Sequence, residues 1–159
     1  MSTDAELRER LETLLDSDHA HVAFDDVVAD FPEPHRGTRP EGFPYSAWEL
    51  LEHMRIAQWD ILEFSRNASH VSPDWPQGYW PQSPVPPGPD AWEASLTGFR
   101  QDLQAMQNLI RDRSQDLFRA FPHGTGQDLL REALLIADHN AYHLGQLVLL
   151  RRALGAWKR

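Results

Sequence analysis

Asp138-His139-Asn140-Ala141-Tyr142-His143 sits inside the most apolar segment of the chain, which runs from Leu129 to Leu150. Before it stand Leu134, Leu135, Ile136 and Ala137; after it come Leu147, Val148, Leu149 and Leu150. The segment reads as a helix. Residues four apart on a helix share a face, with Cβ atoms about 5–6 Å apart, so His139 and His143 point the same way. One divalent ion can reach both imidazoles of such a pair without bending the backbone. Asn140 stands where the zincin HExxH pattern has its glutamate, so that motif is incomplete. Two neutral imidazoles among leucines are costly to bury without partners. They are either ligands of a metal that takes a further ligand from elsewhere in the chain, or core-edge histidines bonded to neighbouring carbonyls.

A chain of 159 residues is expected to form one domain, 1–159, with a real core. It has no cysteine, which removes disulfides, thiolate ligands and a cysteine nucleophile and leaves His, Asp and Glu as the metal-binding inventory. That composition fits a cytoplasmic location. With 24 acidic against 15 basic residues the net charge is −9, a surface that repels phosphate backbones, so no nucleic-acid partner is expected. No apolar run reaches the roughly 18 residues of a membrane helix. Met1-Ser2-Thr3-Asp4-Ala5-Glu6 is too polar for a signal peptide.

Thr3-x-x-Glu6 is a capping-box pattern, and Leu7, Leu11, Leu14 and Leu15 follow with helical spacing, so a first helix is predicted over 4–16. Asp16-Ser17-Asp18 marks a break. A second helical stretch over 18–30 carries Phe24, Val27, Val28 and Phe31 on one side, with His21 on the same side, and Pro32 and Pro34 end it. The proline-rich stretch 32–45 is a loop. Ser46-x-x-Glu49 opens a third helix, to about Ser65, on which Glu49, His53 and Asp60 form one polar stripe. For Glu49 and Asp60 that stripe is either a solvated edge or part of a site.

Residues 66–89 hold seven of the twelve prolines together with Trp75, Tyr79 and Trp80. Such a stretch is neither regular helix nor central strand, and it is too aromatic for a disordered linker. It is expected to be an ordered crossover along the outside of the domain, its aromatics serving for packing rather than as a lid. Asp90-x-x-Glu93 opens the next helix, in which Trp92, Leu96, Phe99, Leu103, Met106 and Ile110 alternate threes and fours as far as Arg113. His123 falls in an exposed turn. Thr125-x-x-Asp128 caps the last helix, which ends near Gly155 with Arg151 and Arg152 in its final turns. No stretch alternates with period two. Four long helices and one short one make an all-α chain, a four-helix bundle with a long Pro/Trp-rich crossover, in which sites form between facing helices.

His53 lies mid-helix, and facing helices sit about 8–10 Å apart, so it can meet His139 and His143 at one ion. Three neutral histidines leave a fourth position for water or substrate, the pattern of a catalytic rather than a closed structural site. Glu132, His139, His143 and Gln146 share one stripe of the last helix, with Glu132 about 10 Å from His139 along the axis, at the border of the site. Tyr142 points away from the pair and is a packing or interface residue.

These residues carry a likeness. Ser46-Ala47-Trp48-Glu49-Leu50-Leu51-Glu52-His53, Ile56-Ala57-Gln58-Trp59-Asp60 and above all Asp138 through Gln146, with Leu150-Arg151-Arg152 and Gly155, resemble the DinB-like (DinB/YfiT) superfamily over about 18–157. The resemblance implies an up-down-down-up four-helix bundle with a divalent metal, nickel or zinc, on three histidines, which map onto His53, His139 and His143. It also implies a homodimer. Thiol-dependent members of the superfamily, maleylpyruvate isomerases and bacillithiol transferases among them, imply a low-molecular-weight thiol activated at the metal. Two functions follow. One is a metal-dependent enzyme acting on a small molecule, a transferase or hydrolase, with Glu49, Asp60, Glu132 and His21 as candidates for proton transfer or ligand support. The other is a non-catalytic, metal-stabilised dimer that binds a ligand or partner. Free imidazole titrates near 6.5 and protons compete with metal for it, so metal should protect the fold at pH 7.5 and the protection should shrink by about pH 5.

Overall fold

A computed structural model describes residues 3–16 and 20–157. Among them are five α-helices and no strand: α1 Thr3–Asp16, α2 Phe24–Val28, α3 Ala47–Arg66, α4 Ala91–Arg111 and α5 Leu129–Ala153. Single 3₁₀ turns lie at Glu33–His35 and Gln77–Tyr79. The expected four long helices and one short one are all present.

The short one is much shorter than the periodicity predicts. Ala23 is extended, with ψ 153°, so α2 starts at Phe24, and the described residues 20–23 before it are not helical. At the other end Ala29 leaves the helical region and Asp30 takes a left-handed φ of 49°, which stops the helix before the prolines are reached. Phe24, Val27, Val28 and Phe31 are nonetheless buried, as expected, because a single turn is enough to present them. His21, lying outside the helix, is exposed. Part of the predicted break, Ser17-Asp18, lies outside the described residues.

The helix starts divide into two kinds. At α3 the capping box is complete: Ser46 Oγ accepts from the Glu49 amide at 3.2 Å and a Glu49 carboxylate oxygen accepts from the Ser46 amide at 2.8 Å. At α5 the cap is Asp128 alone, whose carboxylate accepts from the Arg131 amide at 2.8 Å. Thr125, expected to share that role, stays in the preceding turn, where its amide bonds the Gln127 side chain. Asp90 makes no side-chain cap at all, because its own backbone is already helical. The end of α5 is a Schellman turn. Gly155, at φ +67°, donates its amide to the Arg152 carbonyl, and Ala156 donates to Arg151.

Two apolar clusters fill the interior. One joins Leu50, Leu51 and Met54 of α3 to Phe99 of α4 and Leu144, Leu147 and Leu150 of α5, with α2 and Phe31 laid across. The other joins Leu11 and Leu15 of α1 to Leu62, Met106, Ile110, Ala133 and Ile136. Side chains pair the helices at fixed heights. Ser95 donates to Glu52 and Gln58 donates to the Phe99 carbonyl, tying α3 to α4. Asn140 donates to Gln58, tying α5 to α3. Residues 67–90 between α3 and α4 press on α3 from outside. Gly37 of the preceding loop lies so close to this segment that a Cβ there would sit 2.3 Å from Val85 Cγ1, a place only glycine fits.

Candidate metal centre

α3 and α5 bring the three histidines together. His53 Nε2 lies 3.2 Å from His143 Nε2 and 3.1 Å from His139 Nε2. A ligating atom of each falls within 4.8 Å of those of the other two, and among the described residues no fourth histidine or carboxylate joins them. His53 and His143 are buried and His139 is half-buried.

The outer nitrogens determine what the inner ones can do. His53 Nδ1 lies 2.8 Å from the backbone carbonyl of Tyr79, which can only accept, so the ring proton is on Nδ1. His143 Nδ1 lies 2.7 Å from Gln146 Oε1 and is the donor there too. In their neutral forms both rings then present bare lone pairs at Nε2, facing each other across 3.2 Å with no proton between. Acceptor against acceptor is repulsive, and burial strengthens the repulsion. A cation at the convergence of the Nε2 atoms turns it into attraction. A second hydrogen bond on Nδ1 is also the usual outer contact of a metal-bound histidine. The donor set therefore fits a divalent transition metal.

Burial disfavours charge on the rings themselves. Burial pushes the His53 imidazole down to about 4, with the Tyr79 carbonyl pulling back and His143 adding to the fall. Burial, then His143 and His53, takes His139 to about 3. Burial also lowers His143, against the pull of Gln146. All three are neutral at pH 7, the form a metal requires.

An aromatic stack closes one side. The Trp80 ring lies flat on His53, centroids 3.8 Å apart, and Tyr45 lies on the other face of Trp80 at 4.3 Å. Tyr79 and Trp80 thus do more than pack along the outside: the crossover expected to serve as packing supplies both a hydrogen-bond partner and a cover for a site histidine. Trp75, by contrast, is 74% exposed.

The remaining candidates fall in different places. Glu49 and Asp60 are buried, so the solvated-edge reading fails for both. Burial raises the Glu49 carboxyl, but Arg39 and the Ser46 amide outweigh it and hold it below the ordinary range. Both its oxygens are engaged, one with Ser46 and Arg39 and the other with Arg39 again. Asp60 accepts from His70 Nε2 at 2.7 Å and from the Tyr79 hydroxyl at 2.6 Å. Glu132 is buried beside Arg131, and burial raises its carboxyl, with Asp128 and Asp60 adding to the rise. His21 is exposed and bonds only the Val22 carbonyl, away from the centre. The alternative of histidines bonded to neighbouring carbonyls is met in part: His53 bonds the backbone carbonyl of Tyr79, and His143 of the 139/143 pair bonds the side-chain carbonyl of Gln146. Sequence reasoning passed over His70 and the Tyr79 carbonyl. The one available signal was Asp60, a carboxylate on a core-facing helix that needs a buried partner.

The profile described as DinB superfamily matches residues 2–147. The chain belongs to this superfamily, and the match starts earlier and stops earlier than the likeness read from the motifs. No curated protein and no solved structure matches it significantly.

Proposed function

We propose that the chain is a metal-dependent enzyme of the DinB superfamily, holding one divalent transition metal, nickel or zinc, on His53, His139 and His143. The observation that carries this is the facing pair of Nε2 lone pairs on rings whose Nδ1 protons are already spent on Tyr79 and Gln146. With three protein ligands a position remains for water, a thiol or substrate. A metal there would supply Lewis acidity and lower the pKa of whatever occupies that position. The chain's own part is to keep the three imidazoles neutral, aim two of them through their Nδ1–H bonds, and shield one face of His53 with Trp80. Thiol S-transfer on a small-molecule substrate fits the superfamily best, with transfer to water, hydrolysis, as the competing outcome. Elemental analysis of purified protein tests the metal reading: one nickel or zinc per chain is expected, and a chain that carries no metal and takes none up on dialysis overturns it.

The cross-helix contacts support an up-down-down-up bundle. Glu52–Ser95 and Gln58–Phe99 advance in the same direction along α3 and α4, whereas His53–His143 and Gln58–Asn140 run oppositely along α3 and α5. A parallel α3–α4 pair needs the long crossover that 67–90 supplies.

One feature favours a second reading, a dimeric binding module. Leu135, Tyr142 and Leu149, seven apart on α5, are 37%, 65% and 59% exposed and form an apolar stripe beside His139. This is the surface on which the expected homodimer would form. Light scattering at tens of micromolar tests it, and a monomer there removes the dimer. A chain that binds metal but never accelerates attack by any low-molecular-weight thiol or water would favour the module over the enzyme.

A further inference from the structure

Asp60 sits two turns along α3 from His53 and touches none of the three histidines, yet both of its oxygens are occupied. The His70 imidazole donates to one at 2.7 Å and the Tyr79 hydroxyl to the other at 2.6 Å. These two donors are the ends of the ten-residue stretch 70–79 in the crossover. Two of the three groups are shielded, the side chains of His70 and Asp60 being only 7% and 11% exposed, and Tyr79 is half-buried. Burial and the Asp60 carboxylate push the Tyr79 phenol up to about 12, against the pull of Ser72, so at neutral pH the hydroxyl keeps its proton and donates it to Asp60. The same Tyr79 turns its backbone carbonyl to His53 Nδ1 at 2.8 Å, and the next residue lays its ring on His53.

We infer that Asp60 is a positioning residue for the histidine centre: by holding His70 and the Tyr79 hydroxyl it fixes the Tyr79 carbonyl against His53 Nδ1, and so selects the tautomer whose bare Nε2 faces His139 and His143. A backbone carbonyl on a loop has no means of its own to stay at hydrogen-bond distance from a helix. Asp60 provides it by anchoring that residue's side chain to the helix that carries His53. If the tie is cut, the loop is free to withdraw, and His53 can shift its proton to Nε2, where it closes the lone pair that a metal would use. The structural part stands on the hydrogen bonds alone; its consequence for metal affinity rests on the function proposed above.

Tyr79→Phe removes the hydroxyl and keeps the carbonyl; Asp60→Ala removes the anchor. Metal-free protein carrying ¹⁵N-histidine is examined at pH 8 by long-range ¹H–¹⁵N spectra, the His53 signals assigned by their loss in His53→Gln. The wild type should show His53 as the Nδ1–H tautomer, and both variants a mixture. Cobalt(II) titration with a competing chelator should then give affinities about tenfold or more below wild type in each variant. The double variant should be no worse than the weaker single one, since both act through one contact, and the cobalt absorption bands should change with the affinity. A merely structural role would lower the melting temperature and leave tautomer, cobalt spectrum and affinity alone. An unchanged His53 tautomer in Tyr79→Phe, which keeps every apolar contact of the ring, overturns the inference. A shifted tautomer in a chain whose wild type binds no cobalt upholds the Asp60 tie and refutes the metal reading instead.

Discussion

Two buried polar clusters in this molecule are built on opposite principles. At the end of α4, Arg8 reaches in from α1 and is 6% exposed. Its guanidinium donates to the carbonyls of Ile110 at 2.6 Å, Gln115 at 2.7 Å and Asp112 at 3.2 Å, and to the Asp4 carboxylate at 2.9 Å. Every contact pairs a donor with an acceptor: Ile110 lies in the last turn of α4, where carbonyls lack a helical partner, and Asp112 and Gln115 lie in the turn that follows. Between α3 and α5, His53 and His143 are buried to a similar degree, but there acceptor meets acceptor. The first cluster is complete and stabilises the fold by itself. The second leaves two acceptors facing each other, the mismatch that the proposed metal would resolve. Burial alone does not separate structure from function; the match of donors to acceptors does.

The largest effect expected is on bound metal. His139→Ala and His143→Ala should each take the chain from one bound ion to none after dialysis, whereas Arg8→Met should keep full occupancy. The stability effects should run the other way. With metal removed, His143→Leu eliminates one facing lone pair and should melt no lower than the wild type. Metal analysis and melting curves on the same four proteins check both halves, and a strongly destabilised metal-free His143→Leu would mean the histidine cluster is as self-sufficient as the Arg8 cluster.

Acid should separate the clusters next. His53 and His139 titrate near 4 and 3 in the folded chain and near 6.5 when unfolded. Their folded values are depressed, so their contribution is fully present above pH 6.5 and is lost as pH falls, because the unfolded chain takes up protons first. The slope is up to about 1.4 kcal/mol per pH unit for each histidine between 6.5 and the folded values. Metal protection should behave differently. It depends on protons competing for the folded site, and burial of all three rings moves that competition to lower pH than free imidazole would set. At a hundred times the dissociation constant, metal adds about 2.7 kcal/mol, or roughly 5–10 °C for a domain of this size. That gap should still be present at pH 5, where free imidazole would have narrowed it, although both curves have moved down. Melting with and without chelator from pH 7.5 to 4 checks this.

Arg8→Met comes third. Charged hydrogen bonds to carbonyls are each worth about 1.5–3 kcal/mol, but they do not add. A loss of about 3 kcal/mol is expected, roughly 6–12 °C in melting temperature, with the cobalt affinity of the histidines unchanged. A smaller loss would mean that the carbonyls at the end of α4 find water.

The two clusters were unequally legible in the sequence. The histidines could be found because two of them lie at helical spacing on a leucine-rich helix and the third sits on a helix opened by an unmistakable capping box, so local patterns alone place all three on facing surfaces. Arg8 could not. Apart from Asp4, its partners lie about a hundred positions away and are backbone carbonyls, which have no sequence signature. Tyr79 was hidden for the same reason, since what it offers His53 is its carbonyl. The helices themselves followed from periodicity wherever a long apolar stripe existed. The exception was α2, where five helical residues present a face that looks longer because Phe31 joins it from beyond the helix. At Asp90 the residue type was right for a cap and the backbone was not, a distinction carried by φ and ψ rather than by composition.

The smallest effect expected lies on the link between the capping box and the crossover. Ser46 Oγ accepts from the Glu49 amide and donates to the Pro84 carbonyl at 2.5 Å. Ser46→Ala should therefore cost about 1 kcal/mol for the cap, plus part of a second hydrogen bond, and the Glu49 amide would lose the partner that starts α3. Glu49 itself should stay in place, because Arg39 and the Ser46 amide, which alanine retains, still hold its carboxylate. His53 is one turn further along, beyond the reach of a frayed first residue, and its loop contact comes from Tyr79 rather than from residue 84. Metal affinity should consequently change less than twofold while the melting temperature falls by roughly 2–4 °C. A Ser46→Ala chain that lost metal as readily as Tyr79→Phe would mean that the crossover is held to the site along its whole length, and that Asp60 is only one of several ties.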